Sequence, residues 1–125
     1  MKCDIQFFRC DRCGNLVRVL NDGGGRLVCC EQNMRKLAPN TVEASGEKHV
    51  PVFAFNGDEL LVKVGSAAHP MTEEHHIEWI ALRAGDEEQI RFLHPGDKPE
   101  AVFRAREDTP LSVFAYCNLH GLWRA

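Results

Sequence analysis

Four cysteines near the front of the chain constrain its fold more than any other feature. Cys10 and Cys13 form a C-x2-C pair, and Cys29 and Cys30 follow as an adjacent pair after fifteen intervening residues. A C-x2-C pair makes a knuckle whose sulfurs converge on one ion, and Gly14 lets the backbone turn just after it. Four thiolates in roughly tetrahedral array suit zinc or iron. The adjacent pair is unusual, because neighbours along a strand point to opposite faces. Cys29 and Cys30 share one ion only if the backbone bends there, so a distorted site is expected. Spacing alone leaves zinc somewhat ahead of iron, with a structural zinc site or a vicinal disulfide as the plainer alternatives. Cys3 fits neither pair and is treated as a spare thiol.

The segment carrying these cysteines is too small to bury a useful core. Below about 40 residues a chain usually needs a metal or disulfides to fold. Leu16 to Leu20 is a β-prone run, NDGGG at 21–25 is turn chemistry, and Arg26 to Cys29 returns. That pattern predicts a hairpin bringing Cys29 and Cys30 back beside Cys10 and Cys13. The polar stretch LAPNTVEASGEK, residues 37–48, reads as a linker. The expected division is a metal-stabilised β-hairpin module over 1–37 and a second domain over 42–125.

The second domain is mainly β. Strands are predicted at Val50 to Phe55, Leu60 to Val64, His76 to Arg83, Gln89 to Leu93, Glu100 to Arg106 and Leu111 to Tyr116. The turn signals NGDE, AGDEE, HPGDKP and REDTP separate them. Short strands at this spacing predict an antiparallel sandwich, and no long 3.6-residue period argues for helices. Residues 65–75, GSAAHPMTEEH, form a long loop with two histidines, and such loops in compact domains are often functional.

Bulk properties exclude several classes. A net charge of −3 lacks the basic bias of a nucleic-acid binder. No apolar run approaches the roughly 20 residues that span a bilayer. The start, MKCDIQFFRC, has no signal-peptide core, so a cytoplasmic location is expected. In a reducing compartment six cysteines point to metal binding or catalysis before disulfides.

A second constellation lies in the loops and strand ends of the sandwich: His49, His69, His75, Cys117 and His120. Loops cluster at the two ends of a sandwich, so residues distant in sequence can meet there, although spacing alone does not fix which of the five belong to one site. His76 adjoins His75 and is expected to face the other way, and His94 sits in a turn with proline and glycine. Cys-x2-His near the last predicted strand, with an upstream histidine, is also a blue-copper arrangement. Those sites add an axial methionine, and none of Met1, Met34 and Met71 follows His120. An iron site with several imidazoles and one thiolate fits better.

Three stretches carry a family resemblance: EKHVP at 47–51, HPMTEEHHIEWI at 69–80 and CNLHGLW at 117–123. They resemble the motifs of the superoxide reductases. The front cysteines resemble the desulforedoxin-like module of the two-iron members, the desulfoferrodoxins, whose second domain is neelaredoxin-like. The resemblance spans essentially the whole chain; His76 and Cys3 depart from its pattern. It implies an immunoglobulin-like sandwich over 42–125 and two mononuclear irons, and it tips the front site from zinc to iron. Cys10, Cys13, Cys29 and Cys30 would hold one iron. His49, His69, His75 and His120 would be equatorial ligands of the other, with Cys117 axial.

The implied reaction is the one-electron reduction of superoxide to hydrogen peroxide without release of dioxygen. Its implied partners are a small electron donor such as rubredoxin and a second copy of the chain in a homodimer. Lys48 would steer the anion, and Glu47 would help displace peroxide. Two rivals stand beside this reading: a two-centre iron electron-transfer protein without substrate turnover, and a zinc-stabilised binding module.

Overall fold

The computed structural model describes residues 5–125, so Cys3 lies outside the described residues. The chain forms two compact units, Met1–Ala38 and Pro39–Ala125. In the front unit β1 (Gln6–Arg9) pairs antiparallel with β2 (Leu16–Val19). The cysteine knuckle fills their connection, closed by Cys10 N–H to the Asn15 carbonyl at 2.8 Å and Gly14 N–H to the Cys10 carbonyl at 2.9 Å. Gly14 has φ +83°, the left-handed region that glycine adopts without penalty.

The expected pairing of Leu16–Leu20 with Arg26–Cys29 does not form. β3 (Val28–Cys29) instead pairs with β4 (Gln32–Asn33), and β5 (Arg35–Lys36) returns to the open edge of β1. The tight turn is Cys30–Glu31, with φ of 53° and 63°, rather than the glycine run at 23–25. Two left-handed residues between paired strands form the hairpin turn that asparagine and glycine ordinarily favour. Here a cysteine occupies it, and this is the backbone bend the adjacent pair requires.

The second unit opens with a single helical turn, α1 (Gly46–His49), which the sequence reading did not foresee. Seven strands follow: β6 (Pro51–Asn56), β7 (Glu59–Val64), β8 (Ile77–Ala84), β9 (Glu87–Phe92), β10 (Glu100–Arg104), β11 (Leu111–Cys117) and β12 (Gly121–Arg124). They form two antiparallel sheets, β10-β7-β6 and β12-β11-β8-β9, in an immunoglobulin-like sandwich. Alternation in β7 is strict, with Leu60, Val62 and Val64 buried and Glu59, Leu61 and Lys63 outward. Those three side chains join Ile80, Leu82, Phe103, Val113 and Ala115 in one core. Burying each large apolar side chain contributes about 1.5–3 kcal/mol.

The last strand is β12, not the 111–116 run. Cys117 therefore ends β11, and His120 lies in a three-residue connection between paired Cys117 and Gly121. Strand direction explains why distant residues meet. β6 begins where β7 ends, with Pro51 opposite Val64, and β8 begins where β11 ends, with Ile77 opposite Cys117. The α1 turn, the 65–76 loop and the 118–120 turn thus share one end of the sandwich.

One irregularity sets which side chains face inward there. Tyr116 pairs with Trp79, yet Cys117 pairs with Ile77, so Glu78 is bulged out of the ladder. Its carbonyl accepts instead from Leu93 N–H at 2.9 Å. Strict alternation with Ile80 and Leu82 would turn Glu78 inward; the bulge exposes it and buries Ile77 fully. Bulges commonly re-aim side chains beside active sites.

Candidate metal centres

The front cysteines converge. Their sulfurs all lie within 4.8 Å of one another, with Cys13 to Cys29 at 3.6 Å and Cys29 to Cys30 at 3.9 Å. Metal–sulfur bonds of about 2.3 Å in a tetrahedron put sulfurs about 3.8 Å apart, so the donor set fits one ion. All four thiols are free, so Cys29 and Cys30 form no vicinal disulfide. Backbone amides point at sulfur: Cys13 N–H to Cys10 Sγ at 3.5 Å and Asn15 N–H to Cys13 Sγ at 3.4 Å. The Cys13 amide brings the Cys10 thiol down to about 6. Cys30, crowded by the sulfurs of Cys13, Cys10 and Cys29, is pushed up to about 12. Four thiols this close do not all ionise without a cation among them.

At the sandwich end, four imidazoles form a ring. Neighbouring rings stand nearly perpendicular: His49 to His69 at 4.6 Å, His69 to His75 at 4.6 Å, His75 to His120 at 5.0 Å and His120 to His49 at 4.9 Å between centroids. His49 and His75 face each other across the ring at 6.2 Å. His49 Nε2 lies 3.0 Å from His120 Nδ1 and 3.2 Å from His69 Nε2. Cys117 Sγ lies 3.9 Å from His120 Nδ1 and within 4.8 Å of the ligand atoms of the other three.

The backbone fixes which nitrogen each ring presents. His49 Nδ1–H donates to the Ser45 carbonyl at 2.7 Å, and His69 Nδ1–H to the Pro70 carbonyl at 2.6 Å. Each ring therefore turns an Nε2 lone pair toward the cluster, the usual way a protein orients metal-ligating histidine. His75 Nε2 is buried without a hydrogen-bond partner, a costly state that a cation relieves. Trp123 on β12 supports two members: its indole packs 4.8 Å from the His49 ring, and its N–H donates to the His120 carbonyl at 3.2 Å.

Burial disfavours the charged form of His49, His69 and His75. It pushes His69 down to about 4, and it lowers His49 and His75 in the same direction. Burial also raises the Cys117 thiol, against the amides of His120 and Leu119, which favour its thiolate. A divalent ion supplies the missing drive for that deprotonation. The site thus offers four imidazole nitrogens and one latent thiolate, which suits an iron-class transition metal.

Glu47 and Lys48 sit exposed on α1 beside buried His49. Their turn is tied to the 65–76 loop, since the Glu47 carbonyl accepts from Ala67 N–H at 2.8 Å and Ser66 Oγ–H at 3.3 Å. Gly65 makes this closeness possible. A Cβ there would lie 2.6 Å from the Glu47 oxygen and 2.9 Å from the Val50 oxygen. Sequence reasoning missed Gly65, although a glycine closing a regular strand is a known sign of close backbone approach. His76 and His94 stay out of both clusters; His94 pairs with Asp97 at 3.6 Å.

Comparison with known proteins agrees with this anatomy. The desulfoferrodoxin family model matches residues 41–125, and that of the desulfoferrodoxin N-terminal domain matches residues 3–37. The chain is 52% identical over 119 residues to a desulfoferrodoxin of Syntrophotalea carbinolica, covering 95% of this chain and 94% of that one. It is 47% identical over 125 residues to a desulfoferrodoxin of Nitratidesulfovibrio vulgaris, covering 100% and 98%. The superoxide reductase structure from Treponema pallidum superposes with TM-score 0.79 at 35% identity, over 98% of both chains. From its front thiol cluster to its imidazole ring, this chain belongs to the desulfoferrodoxin family.

Proposed function

We propose that the chain is a superoxide reductase, joining superoxide, one electron and two protons into hydrogen peroxide without releasing dioxygen. The observation that carries this reading is the ring of four imidazoles beside one buried thiol. Relatives of Thermococcus kodakarensis and Pyrococcus abyssi named superoxide reductase share 38% identity with it over 96 residues, and the Treponema pallidum structure adds a full-length likeness. Cys10, Cys13, Cys29 and Cys30 would hold one iron, and His49, His69, His75, His120 and Cys117 a second. When bound there, iron supplies the one-electron chemistry and a positive point for an anion.

The chain's own groups set the conditions for that chemistry. Neutral histidines leave the ion's charge offset only by the Cys117 thiolate, so the loaded centre stays net positive. The unit around it is acidic, with fourteen carboxylates against eight lysines and arginines over residues 39–125. An approaching anion therefore needs a local positive field, and Lys48 stands next to His49 to provide it. Glu47, on the same exposed turn, is the carboxylate assigned to compete with product for the anion position. Trp123 and the carbonyls of Ser45 and Pro70 hold the rings so that little reorganisation is needed.

The same reading includes a small rubredoxin-like electron donor, a homodimer and a cytoplasmic location. Free thiols, which persist in reducing compartments, support the last. Among the described residues no helix is long and apolar enough to cross a membrane.

The test is an anaerobic superoxide assay on the iron-loaded chain, scoring peroxide and dioxygen separately. Peroxide without dioxygen is expected. Cys117→Ser is expected to abolish turnover while the front thiolate–iron absorption persists, and unchanged turnover in that variant would sink the assignment. Azide or cyanide binding at the sandwich iron separates a reductase from a pure electron carrier, which should bind neither.

A further inference from the structure

The motif that ends in His120 contains a residue the reaction leaves without a task. Asn118 follows Cys117 where the β11–β8 ladder stops, just past the Glu78 bulge. There its side chain takes over the pairing. Asn118 Oδ1 accepts from His76 N–H at 2.9 Å, and Asn118 Nδ2–H donates to the Glu74 carbonyl at 2.9 Å. Its own backbone N–H donates to the His76 carbonyl at 3.2 Å. The two side-chain bonds grip the backbone on both sides of His75, across more than forty residues of sequence.

We infer that Asn118 is a positioning residue that fixes the His75 imidazole relative to the Cys117 sulfur, so that both donors reach one metal ion. Three features point the same way. Asn118 adjoins Cys117, so its amide moves with the thiol. Glu74 and His76 are the two neighbours of His75, so gripping both leaves that residue little backbone rotation. His75 Nε2 is also buried with no hydrogen bond of its own to hold it. Two other rings have such a support, since backbone carbonyls accept from His49 and His69, whereas Trp123 holds the His120 backbone through its carbonyl. Thr72 holds the His75 backbone from its own loop, with His75 N–H donating to Thr72 Oγ1 at 3.1 Å and the His75 carbonyl accepting from Thr72 N–H at 2.9 Å. Asn118 is what ties that loop to the strand end carrying Cys117. An amide suits the role because it offers a donor and an acceptor together, which neither a carboxylate nor a hydroxyl side chain reproduces in this span.

The inference rests on the metal-centre reading above and is tested with metal alone. The metal-free full chain is titrated anaerobically with Co2+, following thiolate–cobalt absorption; subtracting variant from wild type cancels the four-thiolate centre common to both. Asn118→Ala is expected to weaken Co2+ at the sandwich centre by about 10–100-fold, the usual scale for residues that orient ligands. Its cobalt spectrum is expected to shift while far-ultraviolet circular dichroism stays unchanged. Asn118→Asp keeps the acceptor for His76 N–H and loses the donor to Glu74, so it is expected to fall between the two. Wild-type affinity and spectrum in both variants would overturn the inference. Should Asn118→Ala fail to fold, Asn118→Asp decides alone, and wild-type affinity in it overturns the inference as well. A wild-type chain that binds Co2+ only through the four front thiols overturns instead the sandwich centre itself.

Discussion

The two centres hold their donors by opposite means. In the front unit the donors are the core: Cys10 is fully buried, and only Phe7, Leu37 and Gln6 are buried with it among the described residues. Its strands are two to four residues long, and its tight turn places two non-glycine residues in the left-handed region. In the sandwich the donors are appended to an existing core, and Cys117 is itself a packed member of it. The contrast predicts that the front unit needs its metal to fold, whereas the sandwich has a core of its own that does not depend on the donors.

That contrast is most directly broken by removing metal. A structural ion in a small thiolate module contributes on the order of 10 kcal/mol. Chelation under reducing conditions is expected to erase hydrogen-exchange protection over residues 6–36, while the sandwich keeps a cooperative unfolding transition. Both tryptophans, Trp79 and Trp123, lie in the sandwich, so their fluorescence follows it alone. Retained protection in the front unit would refute the difference.

Acid sharpens it next. His69 is held near 4 by burial, below the ordinary 6.5, so the unfolded chain takes up its proton first as pH falls. Stability from this group is complete above about 6.5 and is lost as pH drops toward 4, to the extent of about 2–3 kcal/mol. Urea melts of the metal-free chain between pH 7 and 4, read by tryptophan fluorescence, should show that decline. His69→Gln should flatten it.

Gly65→Ala follows in size. Its methyl meets backbone oxygen rather than a mobile side chain, and such overpacking costs about 1–3 kcal/mol. Denaturant titration should show that loss in the sandwich with the front centre's absorption unchanged. Gly46→Ala, with open space around its Cα, serves as the comparison and should cost little. Lys48→Met is expected to have the smallest effect, slowing the encounter with superoxide about threefold at low salt and flattening its salt dependence. An unchanged salt dependence would remove Lys48 from the steering role.

The donors stood out in the sequence because thiols and imidazoles are scarce, but spacing left open which of them share a site, and the motif resemblance supplied the set. Six sandwich strands were legible for a similar reason: alternation in runs such as ELLVKV is plain, and the NGDE and AGDEE turns fall where β6–β7 and β8–β9 reverse. What stayed hidden depends on pairing rather than composition. GLWR is too short to announce β12 until β11 lies beside it. IEWIAL reads the same with or without a bulge at Glu78, yet the bulge decides that Ile77 faces the core. In the front unit three glycines advertised a hairpin turn, whereas Cys30 and Glu31 made one at the cost of left-handed backbone. The carbonyls that orient His49 and His69 belong to Ser45 and Pro70, whose side chains carry no hint of the task.

The bare backbone at Gly65 also bears on kinetics. The turn that carries Glu47 and Lys48 rests directly on the strand end that leads to His69, with no side chain between them to compress or swing aside. A backbone so anchored is expected not to swing as a lid, leaving movement at the mouth to the Glu47 and Lys48 side chains. An enzyme so built has no opening step to wait for, so its rate with superoxide should follow solvent viscosity and ionic strength rather than a conformational exchange.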